Sequence, residues 1–365
     1  MVRLLRRFVQ AESPSTDKPA VDRFGRLVAA EWRGRGARVR LIRQPRRGDH
    51  LRAELFLGRG RPRGQILVLG HLDTVYDLGT LERMRCRIAR GRFWGPGSLD
   101  MKGGLVIALY AIDALRRARL QPSRRLIFLW TSDEEIGSKT SRRMIEREAR
   151  RSQAVLVLEP ADGPQGHLKT GRKGVGEVEI IVHGRAAHAG LNPQDGVNAV
   201  HELSLQIARL MQFNQPRRGI TVNANVIEGG TRTNVIAERA SARVDLRISR
   251  KADIPPLERA VRSLRPFLQG ARTEVRGGIG RPPMEPRMAR ALFQKAKALA
   301  REMGIELKES VVGGGSDGNF TAALGVPTLD GLGAVGDGAH SAHENVVIRA
   351  LPERAALLAG LLSML

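Results

Sequence analysis

Cysteine is almost missing from this sequence: Cys86 is the only one among 365 residues. A single thiol excludes both an internal disulfide framework and a cysteine-based zinc site, so any metal held here must use His, Asp and Glu. Aromatic residues are scarce at 4%, which leaves few platforms on which bases could stack. No apolar run approaches the ~18 residues that a membrane span requires, and no membrane partner is expected. The N-terminal "MVRLLRRFVQAESPSTDKP" has no apolar core followed by a small-residue cleavage site, so the expected location is the cytoplasm. Negative charge is also in short supply, with 37 acidic residues against 61 basic ones and a net charge of +24. Such a balance raises the prior for nucleic-acid or other anionic partners. The arginines, however, run from "VRLLRR" through "RQPRR" and "RRARLQPSRR" to "SRRMIEREARR". With so few aromatics beside them we read a generally basic, solvated surface, and expect no nucleic-acid binding beyond nonspecific electrostatic attraction.

A chain of this length has room for two domains, since single cores stop growing at roughly 250 to 300 residues. Short apolar runs alternate with helical periodicity from residue 65 onward: "QILVLG" (65–70), "RLIFLWTS" (125–132) and "AVLVLE" (154–159) read as strands. "LVIALYAIDALRRARL" (105–120) and "SRRMIEREARR" (141–151) read as helices. This rhythm predicts an α/β fold, a mixed and largely parallel sheet flanked by helices. The pattern changes near "KTGRKGVGEVEIIVHG", where Gly171, Gly174 and Gly176 read as a hinge. A strand-helix-strand-strand-helix-strand order follows, predicting an inserted α+β, ferredoxin-like domain. The expected boundaries are 1–174 and 283–365 for a split first domain and 175–282 for the insert.

Ligands of open parallel sheets bind beyond the carboxyl ends of the strands. The first of these strands runs into "GHLDTV", with His71 and Asp73 two residues apart, a spacing that puts both side chains on one face of an extended strand. The second empties into Asp133, Glu134 and Glu135, and the third ends in Glu159 before Pro160. The glycine-rich "GPGSLDMKGG" supplies Asp100, and "GDGAHSAHE" supplies His340, His343 and Glu344. A set of His, Asp and Glu without cysteine suits zinc, cobalt or manganese at a hydrolytic centre. Five ligands exceed one open tetrahedral site and suit two metals about 3.5 to 4 Å apart.

In this order, "GHLDTV", "GPGSLDMKGG", "TSDEEIGS", "LEP" and "GAHSAHE", with "GRAAHAG" in the insert, resemble the two-zinc exopeptidase family of glutamate carboxypeptidase, acetylornithine deacetylase, succinyl-diaminopimelate desuccinylase and aminoacylase. "HLDTVYDLGTL" and "GGGSDGNFTAALGVP" lean towards the glutamate carboxypeptidase branch. The resemblance implies a zinc-exopeptidase-like fold whose insert serves as lid and dimerisation domain. It implies two zinc ions per chain, with cobalt or manganese as substitutes: one held by His71 and Glu159, the other by His340 and Glu135, with Asp100 bridging. It makes Asp73 the partner that orients His71, and Glu134 the general base. It selects His340 over His343, because the family's metal-binding histidine stands four residues before a glutamate.

The same resemblance places His188 across a homodimer, in the partner's active site, where it would help bind the oxyanion. Asn234 and Arg247 match positions that contact the substrate's carboxylate or order the site, and Arg281 is a further candidate for that carboxylate. Gly314 and Gly315, followed by Ser316, would form a pocket wall. The expected activity is hydrolysis of an amide bond next to a free carboxylate in a small peptide or N-acyl amino acid, by a glutamate-carboxypeptidase-like exopeptidase. An N-acyl-amino-acid deacylase would share every metal ligand. A basic nucleic-acid-binding or scaffold protein that keeps the fold would have lost a ligand or the base, and none is missing.

Overall fold

A computed structural model describes residues 1–365. The chain opens with helices α1 (Val2–Gln10) and α2 (Lys18–Gly34), the hairpin β1 (Arg38–Ile42) and β2 (His50–Leu55), and β3 (Gln65–His71). A single turn, α3 (Thr80–Arg83), and a hairpin, β4 (Arg87–Ala89) and β5 (Arg92–Trp94), precede α4 (Gly103–Arg117), β6 (Arg125–Thr131), α5 (Arg142–Arg150) and β7 (Ala154–Val157). Next come β8 (Leu168–Arg172), β9 (Gly174–His183), α6 (Ala199–Met211), β10 (Thr221–Gly229), β11 (Arg239–Ile248), α7 (Ile254–Arg262) and β12 (Arg272–Arg281). The chain ends with α8 (Pro286–Glu302), β13 (Glu309–Val312), α9 (Gly318–Ala323), β14 (Thr328–Leu329), β15 (Gly336–Asp337), β16 (Asn345–Val347) and α10 (Ala350–Met364). No helix is long and apolar enough to cross a membrane.

Two compact units result: Met1–Gly171 with Pro286–Val311 and Ser316–Leu365, and Arg172–Glu285 with Val312–Gly315. The first is built on a six-stranded sheet of order β1-β2-β6-β3-β7-β14. Strands β6, β3, β7 and β14 run parallel, while β2 pairs antiparallel with both β1 and β6. The parallel strands are buried on both faces, which is why they read as continuous apolar runs rather than alternating ones. On one face Leu67, Leu69, Ile127, Leu129, Val155 and Val157 pack on Met144, Ile145 and Ala149 of α5 and Phe320 of α9. On β6 the alternate residues Phe128 and Trp130 meet Trp32 of α2, with ring centroids 4.1 and 6.0 Å away.

The second unit is a four-stranded antiparallel sheet of order β10-β11-β9-β12. One core joins it to α6, through Ala199, Leu203 and Leu210, and to α7, through Leu257 and Val261. The glycines read as a hinge lie inside strands instead. A Cβ on Gly174 would stand 2.8 Å from the nitrogen of Pro283, and one on Gly176 2.7 Å from the carbonyl oxygen of Gly278. Close backbone packing requires these two residues, and the boundary between the units falls next to Gly171.

Candidate metal centre

The register of the parallel strands decides what meets at their carboxyl ends. His71 is the last residue of β3 and lies opposite Thr131 of β6, so the loop after β6 begins beside it. Val157 of β7 lies opposite Leu69, which brings Glu159 to the same edge. The fourth contributor arrives with α4, whose Gly104 packs so closely that a Cβ there would stand 2.3 Å from the carbonyl oxygen of Leu158. That approach places the Asp100 loop over the end of β7, and the Asp100–Met101 peptide in it is cis.

His71, Asp100, Glu134, Glu135, Glu159 and His340 converge in the first unit. The Nε2 of His71 lies 3.3 Å from Asp100 Oδ1 and 3.5 Å from Glu159 Oε1. The Nε2 of His340 lies 3.2 Å from Asp100 Oδ2 and 3.3 Å from Glu135 Oε2. Asp100 thus turns one oxygen to each imidazole. Two groups able to hold an ion share His71: one with Glu134 and Glu159, the other with Asp100 and Glu135, each with donor atoms within 4.8 Å of one another.

Asp73 stands behind this cluster. Its backbone carbonyl accepts from His71 Nδ1 at 2.8 Å, while its carboxylate Oδ1 is 3.6 Å from that nitrogen. The hydrogen bond fixes the tautomer, leaving Nε2 to face the carboxylates. The Asp73 carboxylate itself accepts from Ser15 Oγ at 2.7 Å and from the backbone N–H groups of Glu134 and Glu135 at 3.3 and 3.2 Å.

The donor set is short of positive charge, and the pKa values of its members are displaced accordingly. Burial pushes the Asp73 carboxyl up to about 6. Burial likewise lifts Glu135 to about 8, with Asp100 and Glu134 adding repulsion. Hydrogen bonds to Asp100 and Glu135 raise His340 to about 10. Burial disfavours the charged form of His71, yet contacts with Asp100 and Glu159 raise it well above its usual range. Burial opposes ionisation of Asp100 too, but the bonds from His340 and His71 hold it well below the usual carboxylate range. Glu135 Oε1 is buried without a hydrogen-bond partner. A buried acceptor left unpaired is costly, and a divalent cation would satisfy it and take the place of the extra protons. The residues present fit a two-metal centre.

Glu344, which the sequence offered only among the possible ligands, and His50 and Thr140, which it did not mark, act as supports. Glu344 accepts the backbone N–H groups of Gly97, Leu99 and Asp100 at 2.6, 2.7 and 2.9 Å. His50, fully buried, accepts from the Ser132 N–H at 3.2 Å and bonds Thr140 Oγ1 at 3.1 Å through its other nitrogen. Thr140 Oγ1 in turn donates to Asp133 at 2.8 Å, so the loop carrying Glu134 and Glu135 is braced from below. His343 is exposed and bonds Ser341 Oγ at 3.0 Å. Only the "HSAHE" context marked Glu344, and nothing in the sequence marks His50.

The other expected site residues belong to the second unit. His188 is exposed, and its Nδ1 accepts from the N–H groups of Gly190 and Leu191, both at 3.1 Å, which leaves Nε2–H as a donor. Asn234 is adjacent, its carbonyl accepting from the Ala189 N–H at 3.0 Å. Arg247 forms an ion pair with Asp245 at 2.9 Å. Arg281 is buried at the end of β12. The carbonyls of Gly314 and Gly315 accept from Arg172 Nη1 at 3.2 and 3.3 Å.

Carboxylates and imidazoles gathered at the carboxyl ends of a largely parallel sheet, with one carboxylate between two donor groups, define a metal-dependent hydrolase with a dinuclear centre. The model of Peptidase family M20/M25/M40 matches residues 67–364, and the chain belongs to that family. Carboxypeptidase G2 of Pseudomonas sp. (strain RS-16) is 30% identical over 369 residues, spanning 99% of this chain and 88% of the relative. Succinyl-diaminopimelate desuccinylase of Dechloromonas aromatica (strain RCB) is 27% identical over 330 residues, 85% of this chain and 86% of the relative. Among solved structures, aminopeptidase PepT from Bacillus cereus ATCC 10987 superposes with a TM-score of 0.81 at 22% identity, over 99% of this chain and 97% of its own, a likeness of fold.

Proposed function

We propose that the protein is a zinc-dependent exopeptidase of the glutamate-carboxypeptidase kind, removing a C-terminal amino acid with a free carboxylate from a small peptide or N-acyl conjugate. The observation that carries this reading is Asp100, whose two oxygens face His71 and His340 at 3.3 and 3.2 Å, the arrangement a bridging ligand needs. The likeness to Carboxypeptidase G2 along nearly the whole chain supports the substrate class. His71 and Glu159 would hold one ion, His340 and Glu135 the other, with Asp100 shared between them. Two such ions would polarise the scissile carbonyl and lower the pKa of an attacking water.

Glu134 then acts as the general base. It sits in the group with His71 and Glu159, and as a carboxylate it takes the proton of the attacking water and returns it to the leaving nitrogen. Asp73 holds His71 and the Glu134–Glu135 peptide in register for this transfer. In the second unit, His188 offers Nε2–H to the developing oxyanion of a partner subunit's site. Asn234, Arg247 and Arg281 recognise the substrate carboxylate, for which a guanidinium fork is the natural partner, and Gly314 and Gly315 wall the pocket. The homodimer this requires has a candidate face. β10 is an edge strand on which Val226 and Ile227 are 38% and 59% exposed, and α6 beside it exposes Val200 and Met211. An open apolar edge of this kind is normally covered by another chain. A cytoplasmic location completes the proposal.

Desuccinylase relatives favour a second reading, an N-acyl-amino-acid deacylase with the same centre. Incubating the zinc-loaded protein with dipeptides, N-acyl glutamates and N-acyl diamino acids, with mass spectrometry of the products, separates the two. Release of C-terminal glutamate supports the first reading and deacylation of diamino acids alone supports the second. Cleavage of no substrate with a free carboxylate refutes both.

A further inference from the structure

The chain's net charge of +24 is not spread evenly, and part of it is concentrated at one end of the first unit. Three segments feed the amino ends of the central strands: 57–64 before β3, 116–125 before β6, and 150–153 before β7. Together they hold ten arginines and no aspartate or glutamate. The fold draws them together. The Arg63 N–H donates to the Ser123 carbonyl and the Arg125 N–H to the Gly64 carbonyl, both at 2.9 Å. Arg124 Nε bonds the Gln153 side chain, whose amide donates to the Arg63 carbonyl at 3.4 Å. Arg125 pairs with Glu54 at 3.2 Å and Arg150 with Glu146 at 3.7 Å. The other eight, Arg59, Arg61, Arg63, Arg116, Arg117, Arg119, Arg124 and Arg151, have no carboxylate partner, and all but Arg124 are exposed. Their pole lies at the other end of the sheet from His71, about 20 Å away along a seven-residue strand. Screening over a Debye length of about 8 to 10 Å prevents these charges from steering substrate to the metal centre, so catalysis does not account for them.

We propose that this arginine pole is a sequence-independent dock for the phosphate backbone of duplex nucleic acid. The partner follows from what the pole has and lacks. Every cation in the three segments is an arginine, whose planar fork pairs with phosphate oxygens in bidentate fashion. The segments contain no aromatic residue, which removes the stacking platforms a single strand uses. Leu120 is their only exposed large hydrophobic, so neither the apolar anchor of a membrane-surface element nor the aromatic core of a protein interface is present. What remains is a multiply cationic surface, the kind that binds by counterion release.

The test uses the full metal-loaded chain and a labelled duplex DNA of mixed sequence, with binding read by fluorescence anisotropy between about 50 and 200 mM salt. A pole variant carries Arg59→Gln, Arg61→Gln, Arg117→Gln and Arg119→Gln. A control variant loses the same charge on α8 through Arg290→Gln, Lys295→Gln, Lys297→Gln and Arg301→Gln. The expected result is that the pole variant binds at least about tenfold more weakly, and that its slope of log affinity against log salt falls by roughly 3 to 4, near 0.9 for each lost phosphate contact. The control should keep the wild-type slope to within about 1, and all three proteins should share one thermal unfolding midpoint. Equal weakening in both variants would show that net charge alone is responsible and overturn the assignment. So would loss of binding to phosphatidylserine vesicles in the pole variant with duplex binding unchanged, which would make the pole a membrane-facing surface.

Discussion

Glu344 offers the sharpest check on how the centre is held, because its three bonds to backbone N–H groups can be removed in steps. It is 1% exposed, and its carboxylate reaches back across more than 240 residues to the loop that bears Asp100. The Leu99 and Asp100 N–H groups both donate to Oε1, and the Gly97 N–H donates to Oε2. In Glu344→Gln the amide oxygen can occupy the Oε1 position and serve two donors, so only the Gly97 N–H is left facing an NH2 group. Leaving one buried donor unsatisfied costs about 1 to 3 kcal/mol. Glu344→Ala strands all three, a gross cost of about 3 to 9 kcal/mol, and water entering the vacated space should bring it to about 3 to 5 kcal/mol. In a unit of this size each kcal/mol lowers Tm by about 2 to 4 °C, so the alanine variant should melt on the order of 10 °C below wild type and the glutamine variant in between. Differential scanning fluorimetry on chelator-stripped protein measures this directly. Equilibrium dialysis should also show weaker uptake of the ions that Asp100 bridges, more so for Ala than for Gln. An alanine variant that melts with wild type, or no more than the glutamine variant below it, would refute the view that these bonds organise the Asp100 loop.

Three further outcomes are expected. Glu134→Gln should lower kcat by about 10²- to 10⁴-fold with metal content nearly unchanged, whereas Glu135→Gln should weaken one metal site; a Glu134→Gln enzyme with near wild-type kcat would remove it as the base. Mixing inactive His188→Ala and Glu134→Gln chains under conditions of subunit exchange should restore one competent site per heterodimer, and no recovery despite exchange would place His188 outside a partner's site. In the metal-free protein Glu135 titrates near 8 and His340 near 10, both above their ordinary values. Between about pH 5 and 9 these two groups therefore hold more protons in the folded chain than in the unfolded one, and their contribution to apo stability falls as pH rises. The gain in Tm on adding zinc should accordingly be larger at high pH than at low pH, and a smaller gain at high pH would contradict the charge balance.

The parts of the fold legible in the sequence are those where burial writes a pattern. β3, β6 and β7 carry unbroken apolar runs because helices cover both faces, and α4 and α5 begin and end within three residues of their expected limits. The hairpin of β1 and β2 escaped notice because "RVRLI" lies at the sheet edge, half-exposed and interrupted by arginine. The close approach at Gly174 and Gly176 was not legible, because it is set by facing backbone of residues 278 to 283, about a hundred residues further along the chain. The metal-ligand candidates were readable since each ends an apolar run or sits in a glycine-rich loop. The supporting role of Glu344, and His50 altogether, were not, because their partners are backbone groups and a threonine far away in sequence. The ion-pair partner of Arg247 was also readable, since Asp245 stands two residues earlier on the same strand face.

The same geometry explains how adjacent residues, Glu134 and Glu135, come to join different donor groups. In a regular strand neighbours point to opposite faces, and in a helix they diverge by about 100°; here neither element is present, since β6 has ended at Thr131. The orientation is imposed from outside, by Asp73. Its two oxygens each take one of the consecutive N–H groups, at 3.3 and 3.2 Å, which pins the intervening peptide. With that peptide fixed, Glu134 falls in with His71 and Glu159, and Glu135 with His71, Asp100 and His340. The carbonyl of the same aspartate sets the tautomer of His71. Asp73 thereby links the first and second strand ends of the sheet, and the two-residue interval in "GHLDTV" is what lets one short loop orient an imidazole with its backbone and two carboxylates with its side chain.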